Sequence, residues 1–306
     1  MGTAAPATSS DRPLLGVLLM LGFCVLAPVH DALAKLVGDT VSLALLVAVR
    51  YGMQALVLVP FCLLTGRPLG LSPRLLRLTA LRTVFHVAAL GTFFAALRYL
   101  PLADAVAIVF VMPFILLLLG RFVLEEEVGP HRLGACAVGF VGTLMVIQPS
   151  FAAVGAPALL PLAGALLFAL FMLVTRGIAR DADPMQLQAA SGLMATALLL
   201  PLALAGAAFG WPEVAPVPMP ARDLALLGLL GTLGTGAHLL MTWALRFAPS
   251  ATLAPIQYFE IPCATLIGYL VFGDLPNRLA ALGIAVTIAA GLYVLHRERR
   301  AAVPPP

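Results

Sequence analysis

The sequence predicts an all-α, polytopic membrane protein with ten transmembrane helices that form two inverted five-helix repeats. Three observations lead to this prediction: the composition, the spacing of the apolar stretches, and a motif that occurs once in each half. Of 306 residues, 61% are hydrophobic and only 10% are charged, whereas about a quarter of the residues in an ordinary soluble domain are charged. A soluble fold is therefore excluded.

The apolar stretches have the length that a membrane requires. A helix needs about 20 mostly apolar residues to cross about 30 Å of hydrocarbon. The predicted spans are 14–37, 43–64, 78–97, 102–124, 133–147, 157–178, 187–209, 224–245, 250–272 and 279–295. The fifth is short, so a tilted or partly re-entrant segment remains an alternative there.

The remaining divisions follow from these spans. Residues 1–13 are expected to form a disordered tail, residues 14–148 and 149–296 the two repeats, and residues 297–306 a basic, proline-ended tail. The four cysteines lie singly in different spans, which is typical of core residues and predicts no metal site, disulfide framework or cofactor. The basic residues do not cluster on a soluble face, so nucleic-acid binding is not expected.

The basic residues instead predict the orientation, because loops rich in Lys and Arg remain on the cytoplasmic side. With a cytoplasmic amino terminus, the inner set is Arg12, Arg67, Arg74, Arg77, Arg82, Arg121, Arg132, Arg176, Arg180, Arg246, Arg297, Arg299 and Arg300. The outer set is Lys35, Arg98, Arg222 and Arg278. Arg50 alone lies well inside a span. Both termini are therefore predicted to be cytoplasmic.

Three adjacent carboxylates follow the fourth span, at residues 125–127. They are interpreted as a solvated loop that forms salt bridges with Arg121 and Arg132, and a metal site is the alternative.

An internal repeat is visible in two short windows. Residues 96–101 (ALRYLP) align with residues 244–249 (ALRFAP), and each window closes one span and opens the next, which contains Pro113 or Pro262. Because each half has an odd number of spans, the second half must enter the membrane from the opposite side. Inverted repeats of this kind place a substrate site near the midplane and expose it alternately to either side. The sequence therefore predicts a small-molecule transporter.

The fifth and eighth spans are rich in glycine. The residues concerned are Gly134, Gly139, Gly142, Gly228, Gly231, Gly234 and Gly236. We interpret them as sites of close helix packing, since small residues let helices approach each other in lipid. A hinge role is the alternative.

Several motifs resemble a known family. Residues 31–35 (DALAK), Arg50-Tyr51 and residues 96–101 are similar to the ten-helix, EamA-type branch of the drug/metabolite transporter superfamily. The resemblance implies a carrier in the bacterial inner membrane with both termini cytoplasmic. Within that branch, residues 18–28 with Asp31 and Lys35 most resemble riboflavin uptake carriers.

Ionisable groups at bilayer depth usually face a cavity or a partner. Asp31 and Arg50 lie at similar predicted depth on consecutive spans, about 10 Å from the outer surface at about 1.5 Å per residue, so we expect them to form an ion pair. Lys35 lies on the same helix face as Asp31, and its long stem lets its amine reach the outer headgroups.

Glu260 lies close to the predicted midplane, between Pro255 and Pro262. Backbone broken by proline is tolerated only where it lines protein or water, so Glu260 is expected in the substrate cavity as a substrate or proton site. A structural, protonated carboxyl bonded to another helix is the alternative. Gln54 and Gln257 are expected to bond a polar substrate.

Histidines and aromatic residues complete the candidate site. His86 and His238 are each interpreted either as a residue bonded to a facing helix or as a ligand of substrate or proton. The aromatic residues expected to stack on a planar substrate are Tyr99, Phe110, Phe114, Trp243 and Tyr258, with core packing as the alternative.

The preferred function is riboflavin uptake by alternating access, with a small planar metabolite and the lipid bilayer as partners and a homodimer left open. Import or export of another metabolite, such as an amino acid, a metallophore or S-adenosylmethionine, is the alternative. An integral-membrane enzyme is not expected, because neither a nucleophile with its base nor a His-Glu-x-x-His motif is present. A receptor and a channel are weaker alternatives.

Overall fold

The computed structural model describes residues 12–38, 40–67, 69–112, 114–115, 118–119, 130–178, 181–210, 220–248, 253 and 256–301. Within these ranges all regular structure is helical. The amino-terminal tail up to residue 11, the acidic loop at 125–127 with Arg121, and Pro113, Arg180 and Pro255 lie outside the described residues.

The helices follow one another as ten α-helices with defined bounds in these ranges. They are α1 Pro13–Val37, α2 Leu43–Leu64, α3 Pro73–Leu97, α4 Leu102–Val109, α5 Pro130–Val154, α6 Leu160–Ile178, α7 Pro184–Phe209, α8 Ala221–Phe247, α9 Glu260–Phe272 and α10 Arg278–Ala301. A short 3-10 helix, Ala156–Leu159, precedes α6.

The prediction of an all-helical membrane protein is confirmed. Seven helices of the described residues are long and apolar enough to cross a membrane, and two shorter apolar helices lie at Glu260–Phe272 and Arg278–Tyr293. Large apolar side chains cover the outside of the bundle; Leu64, for example, is 87% exposed. A surface of this kind is expected to face lipid.

Local sequence signals explain where several helices begin and end. The Ser42 side chain accepts a hydrogen bond from the Leu45 amide at the start of α2, and Asp183 does the same for the Met185 amide before α7. Such caps satisfy amides that lack a partner in the first turn. Gly210 ends α7 at φ 66°, a left-handed conformation that glycine adopts without steric cost.

Two predicted boundaries are wrong. The fifth span is not short, because α5 has 25 residues; its continuation past Gln148 and Pro149 was missed because these residues resemble a boundary. The predicted carboxyl-terminal tail begins inside α10, which continues to Ala301.

The fourth and ninth predicted spans are broken near their middles. Helix α4 ends after eight residues and is followed by a turn at Phe110 and Val111. A turn at Tyr258 and Phe259 precedes α9. Phe110 and Tyr258 occupy matching positions in the two aligned halves, and their rings are 5.3 Å apart.

The helices pack in a regular set of pairs. The most extensive contacts join α1 with α8, α3 with α6, α2 with α7, and α5 with α10, while α4 contacts α9. Residues from all of these helices contribute to one continuous apolar core, so the two halves of the chain are interleaved.

Glycine packing is confirmed at some of the predicted positions. A Cβ at Gly142 would lie 2.8 Å from the Gly283 carbonyl oxygen, so α5 and α10 approach closely there. Gly139, Gly231 and Gly234 also have close neighbours, whereas a Cβ at Gly134, Gly228 or Gly236 would meet no atom within 4 Å.

We predict opposite effects of alanine at two glycines of α5. Gly142→Ala should lower the free energy of unfolding by roughly 1–3 kcal/mol, because the added methyl group overlaps the α10 backbone. Gly134→Ala is the matched control and should leave stability unchanged or raise it by up to about 1 kcal/mol, since alanine is the better helix former. Thermal unfolding of the purified variants in detergent measures both. An equally stable Gly142→Ala variant would contradict the close packing of α5 on α10.

Candidate substrate cavity

A cavity lies among six helices in the middle of the bundle. Together with the open space at its mouth, the cavity has a volume of about 770 Å³. Its walls come from α1, α3, α4, α6, α8 and the segment that leads into α9. Both halves of the chain therefore contribute to it.

Most of the wall is apolar and aromatic. Four phenylalanines line it, one each from α1, α3 and α6 and one from the turn after α4: Phe23, Phe93, Phe168 and Phe110. Leucine, valine, alanine and methionine side chains fill the surfaces between them. Such a wall suits a flat, apolar ligand.

Six polar side chains also reach the cavity. They are His30, Asp31, His86, His238, Gln257 and Glu260. Few polar groups in an apolar wall are the usual arrangement of a small-molecule site, because the polar groups fix the orientation of the ligand. Of the predicted site residues, the structure brings Asp31, His86, Gln257 and Glu260 together here.

Glu260 begins α9 at the broken segment, as its flanking prolines predicted. Within the described part of the chain, its side chain makes neither a hydrogen bond nor an ion pair, and it faces the cavity. The Cys24 thiol of α1 donates to the Ile256 and Gln257 carbonyl oxygens just before it, at 3.5 and 3.8 Å. These contacts hold the broken segment against α1.

Asp31 bonds its neighbour on α1 and not Arg50. Nδ1 of His30 donates to Oδ1 of Asp31 at 2.9 Å, and both side chains are buried. The predicted ion pair between Asp31 and Arg50 is wrong, because equal depth on consecutive helices does not place two side chains on facing sides. Asp31 and Glu260 both line the cavity, so two carboxyl groups face it.

Arg50 is fully buried and holds three helices together. Its guanidinium donates to Oε1 of Gln54 at 2.7 Å, to the Gly234 carbonyl oxygen at 2.9 Å and to Nδ1 of His238 at 3.1 Å. Nδ1 of His238 also lies 3.0 Å from the Gly234 carbonyl oxygen, so it accepts from Arg50 in one tautomer and donates to Gly234 in the other. The same imidazole ring lines the cavity.

Gln54 extends this network to α7. Its side-chain amide donates to the Gln188 carbonyl oxygen at 2.6 Å and to Oε1 of Gln188 at 3.1 Å. Gln188 in turn donates to Thr242 on α8 at 2.8 Å. Gln54 was predicted to bond a polar substrate, but neither Gln54 nor Arg50 lines the cavity; they position the helix that carries His238.

Lys35 lies at the end of α1, away from the cavity. Its amine donates to Oδ2 of Asp274 and to the Leu100 carbonyl oxygen, both at 3.0 Å. The interaction with Asp274 links α1 to the segment between α9 and α10. Arg67 comes just after α2, which crosses the bundle, and it therefore pairs with Asp183 at the opposite end from Lys35.

Of the five aromatic residues predicted to stack on a substrate, Phe110 lines the cavity, whereas Tyr99, Phe114, Trp243 and Tyr258 do not. Tyr99 is 53% exposed on the surface. Phe114 is buried against Gly139, and Tyr258 against Gly291 and Phe110. Broken helices made these side chains resemble cavity residues in the sequence, whereas the structure uses them in packing.

Sequence reasoning missed three buried polar groups. His30 was not singled out, although it adjoins Asp31 inside a span. Arg82, assigned to the inner face, is 0% exposed within α3, where it bonds Thr175 and Ser191. Asp104 of α4 is also buried, and its carboxylate accepts from the Ser150 hydroxyl at 3.2 Å.

A helical membrane bundle around a mostly apolar cavity defines a transporter rather than an enzyme. The chain belongs to the EamA-like transporter family, whose model matches residues 14–148 and again residues 156–296. It is a bacterial membrane protein that carries a small molecule, which confirms the resemblance found in the sequence.

Named relatives point to two kinds of substrate. A "Riboflavin transporter" of Rhizobium johnstonii is 31% identical over 98% of this chain and 97% of its own. An "S-adenosylmethionine uptake transporter" of Rickettsia prowazekii is 21% identical over 94% of both chains. A solved crystal structure with 19% identity covers 95% of this chain and 98% of its own at a TM-score of 0.65, which supports the fold alone.

We predict that Asp31 is energetically coupled to His30 and not to Arg50. In a double-mutant cycle, His30→Gln and Asp31→Asn should show an interaction free energy of at least about 0.5 kcal/mol, because the two side chains share a hydrogen bond. Arg50→Gln and Asp31→Asn should add to within about 0.5 kcal/mol. The free energies of unfolding of purified variants provide both values. Strong coupling between Asp31 and Arg50 would restore the ion pair predicted from the sequence.

Proposed function

We propose that the protein imports riboflavin, or a closely related planar metabolite, across the bacterial inner membrane by alternating access. The observation that carries this proposal is the cavity itself, in which four phenylalanines face a small group of polar side chains. The relative named for riboflavin transport, matched over nearly the full length of both chains, supports the same substrate.

The chemistry of the cavity suits a flavin. A flavin has a flat ring system for Phe93 or Phe168 to contact, and its ring edge contains both donors and acceptors. Gln257 supplies an amide that donates and accepts, His238 supplies an imidazole ring, and Glu260 supplies an acceptor. Burial of the ring against aromatic side chains stabilises the complex, and the polar groups set its orientation.

The ten-helix inverted repeat remains a proposal, supported by three observations. The same family model matches each half. The major helix pairs are unchanged when each helix is exchanged with its counterpart five helices along: α1 with α8 becomes α6 with α3, while α2–α7, α4–α9 and α5–α10 exchange with themselves. The two broken segments also occupy matching positions, at Phe110 and Tyr258. Inverted repeats with broken helices at midplane are the arrangement that supports alternating access.

S-adenosylmethionine is a second candidate. Asp31 and Glu260 place two carboxylates at the cavity, which favours a substrate with a positive charge. Its adenine ring would occupy the same aromatic wall as a flavin. A competition assay distinguishes riboflavin from S-adenosylmethionine. Only a compound that is transported or tightly bound inhibits the uptake of the labelled substrate.

We predict that this chain restores growth of a riboflavin auxotroph that lacks its own carrier, at micromolar vitamin, and takes up labelled riboflavin. Phe168→Ala should raise the KM about tenfold or more, because a large aromatic contact of the substrate is lost. The matched control is Phe61→Ala on α2, whose side chain is 40% exposed on the outside of the bundle. Failure of the well-expressed protein to take up riboflavin, together with inhibitable uptake of S-adenosylmethionine, would replace the first candidate by the second.

We predict that Glu260→Gln abolishes net uptake without lowering expression. Two assays distinguish the roles that Glu260 was assigned. If the carboxylate couples a proton to transport, exchange of labelled for unlabelled substrate persists in the variant while concentrative uptake is lost. If it binds substrate, both are lost. Wild-type uptake by Glu260→Gln would remove the residue from the mechanism.

The orientation gives a further prediction, because an odd number of spans in each half reverses the second half. Reporter fusions at Ala153 and Ala215 should report outside, and a fusion at Asp181 should report inside. Ala215 lies outside the described residues, so this position tests the span count independently of the structure. A cytoplasmic signal at Ala215 would contradict the ten-span arrangement.

A further inference from the structure

A second group of buried polar side chains lies beside the cavity, on α2 and α3. We name it the basic cluster: Arg50, Tyr51, Arg82 and His86. Arg50, Tyr51 and Arg82 are each 0% exposed, and His86 is 3% exposed. Of the four, only His86 also lines the substrate cavity. The cluster therefore begins at the cavity wall and extends away from it.

Ring contacts connect the cluster. The Tyr51 ring meets the His86 ring edge-on with centroids 5.7 Å apart, and His86 stacks on Phe171 at 4.3 Å. The Arg82 guanidinium lies over the same Phe171 ring at 4.9 Å, and the Arg50 guanidinium lies 5.3 Å from the Tyr51 ring centroid.

Each member of the cluster has a polar atom without a partner. Nη2 of Arg82, Nε of Arg50, the Tyr51 hydroxyl and Nε2 of His86 are buried and make no hydrogen bond within the described chain. The hydrogen bonds that the two arginines do make go to neutral groups, namely amide, hydroxyl, carbonyl and imidazole acceptors. Among the described residues, no carboxylate lies within ion-pair distance of either arginine.

This arrangement leaves two buried guanidinium charges without a compensating anion among the described residues. A buried cation is costly unless an anion and a full set of hydrogen bonds compensate it. Water would satisfy the unused donors but would not neutralise two guanidinium charges. Guanidinium and hydroxyl groups are the usual partners of a carboxylate or phosphate oxygen, and the ring contacts hold the four side chains of the cluster next to one another.

We propose that the basic cluster binds one oxyanion group, a carboxylate or a phosphate. The group is either part of the transported molecule or a small anion bound together with it. The inference deepens the proposed transport function, because it extends the substrate path from the cavity past His86 between α2 and α3. The proposal requires the buried atoms of the cluster to become accessible when the helices open on that side.

The test is a binding measurement on the purified, full-length protein in detergent. Sodium phosphate and sodium acetate are titrated at constant ionic strength, and the thermal midpoint is followed, since a ligand that binds the folded state raises it. Saturable stabilisation by at least one of the two anions is expected. No saturable stabilisation by either anion would overturn the proposal.

Tyr51→Phe tests the site with little risk to folding, because the ring contacts remain and the lost hydroxyl has no partner in the structure. Loss of a hydrogen bond to a charged group should weaken anion binding about tenfold or more. Tyr269→Phe is the matched control, on a side chain that is 52% exposed, and should bind as the wild type does. Unchanged anion affinity in Tyr51→Phe would also overturn the proposal.

A second titration determines whether the anion is part of the transported molecule or a free ion. If the transported molecule carries it, riboflavin 5′-phosphate binds more tightly than riboflavin, and Tyr51→Phe removes the difference. If the anion is free, inorganic phosphate or acetate raises riboflavin affinity in the wild type and not in Tyr51→Phe. Anion stabilisation is measured without riboflavin, so failure of riboflavin uptake and failure of the anion site are distinguishable.

Discussion

The structure depends on how a buried guanidinium is accommodated inside a membrane bundle. Arg50 is 0% exposed, and a charged group in hydrocarbon is tolerated only where protein groups replace water. Gln54, the Gly234 carbonyl and His238 supply these groups from α2 and α8, and Gln54 continues the network to α7. A methyl group at Gly234 would overlap the Arg50 side chain. The absence of a side chain there is what lets α2 and α8 approach each other around the charge.

The same constraint shapes the cavity. His238 contacts Arg50 and the Gly234 carbonyl oxygen through Nδ1, and the same ring lines the cavity. Broken backbone at Phe110 and Tyr258 is likewise tolerable only where it lies within protein, and both breaks lie beside the cavity or form its wall. Polar contacts at the two ends of the bundle are ion pairs instead, Lys35 with Asp274 and Arg67 with Asp183. Ion pairs near the membrane surface exchange readily with water, which makes these ends suited to opening and closing.

The sequence was sufficient for the fold class and for part of the site. Apolar length and charge placement identified a helical membrane protein, and isolated ionisable residues identified Asp31 and Glu260, because polarity at depth is rare enough to be informative. The sequence did not predict which side chains pair with each other. Depth along a helix is readable from residue number, but the rotation of one helix against another is set by packing. The sequence therefore predicted an ion pair between Asp31 and Arg50 that the structure does not contain. Arg82 was counted with the residues of the inner face, although it is buried within α3, which begins at Pro73.

The central claim is that the two ends of the bundle open in alternation around one cavity. The most direct measurement is the distance between spin labels by pulsed electron resonance, with one pair at Leu36 and Leu275 beside the Lys35–Asp274 pair and another at Leu64 and Gly177 at the opposite end. The account predicts that riboflavin shifts the two distance distributions in opposite directions, one end lengthening as the other shortens. Distances that do not respond to substrate, or that lengthen together at both ends, would contradict alternating access and favour a static pore.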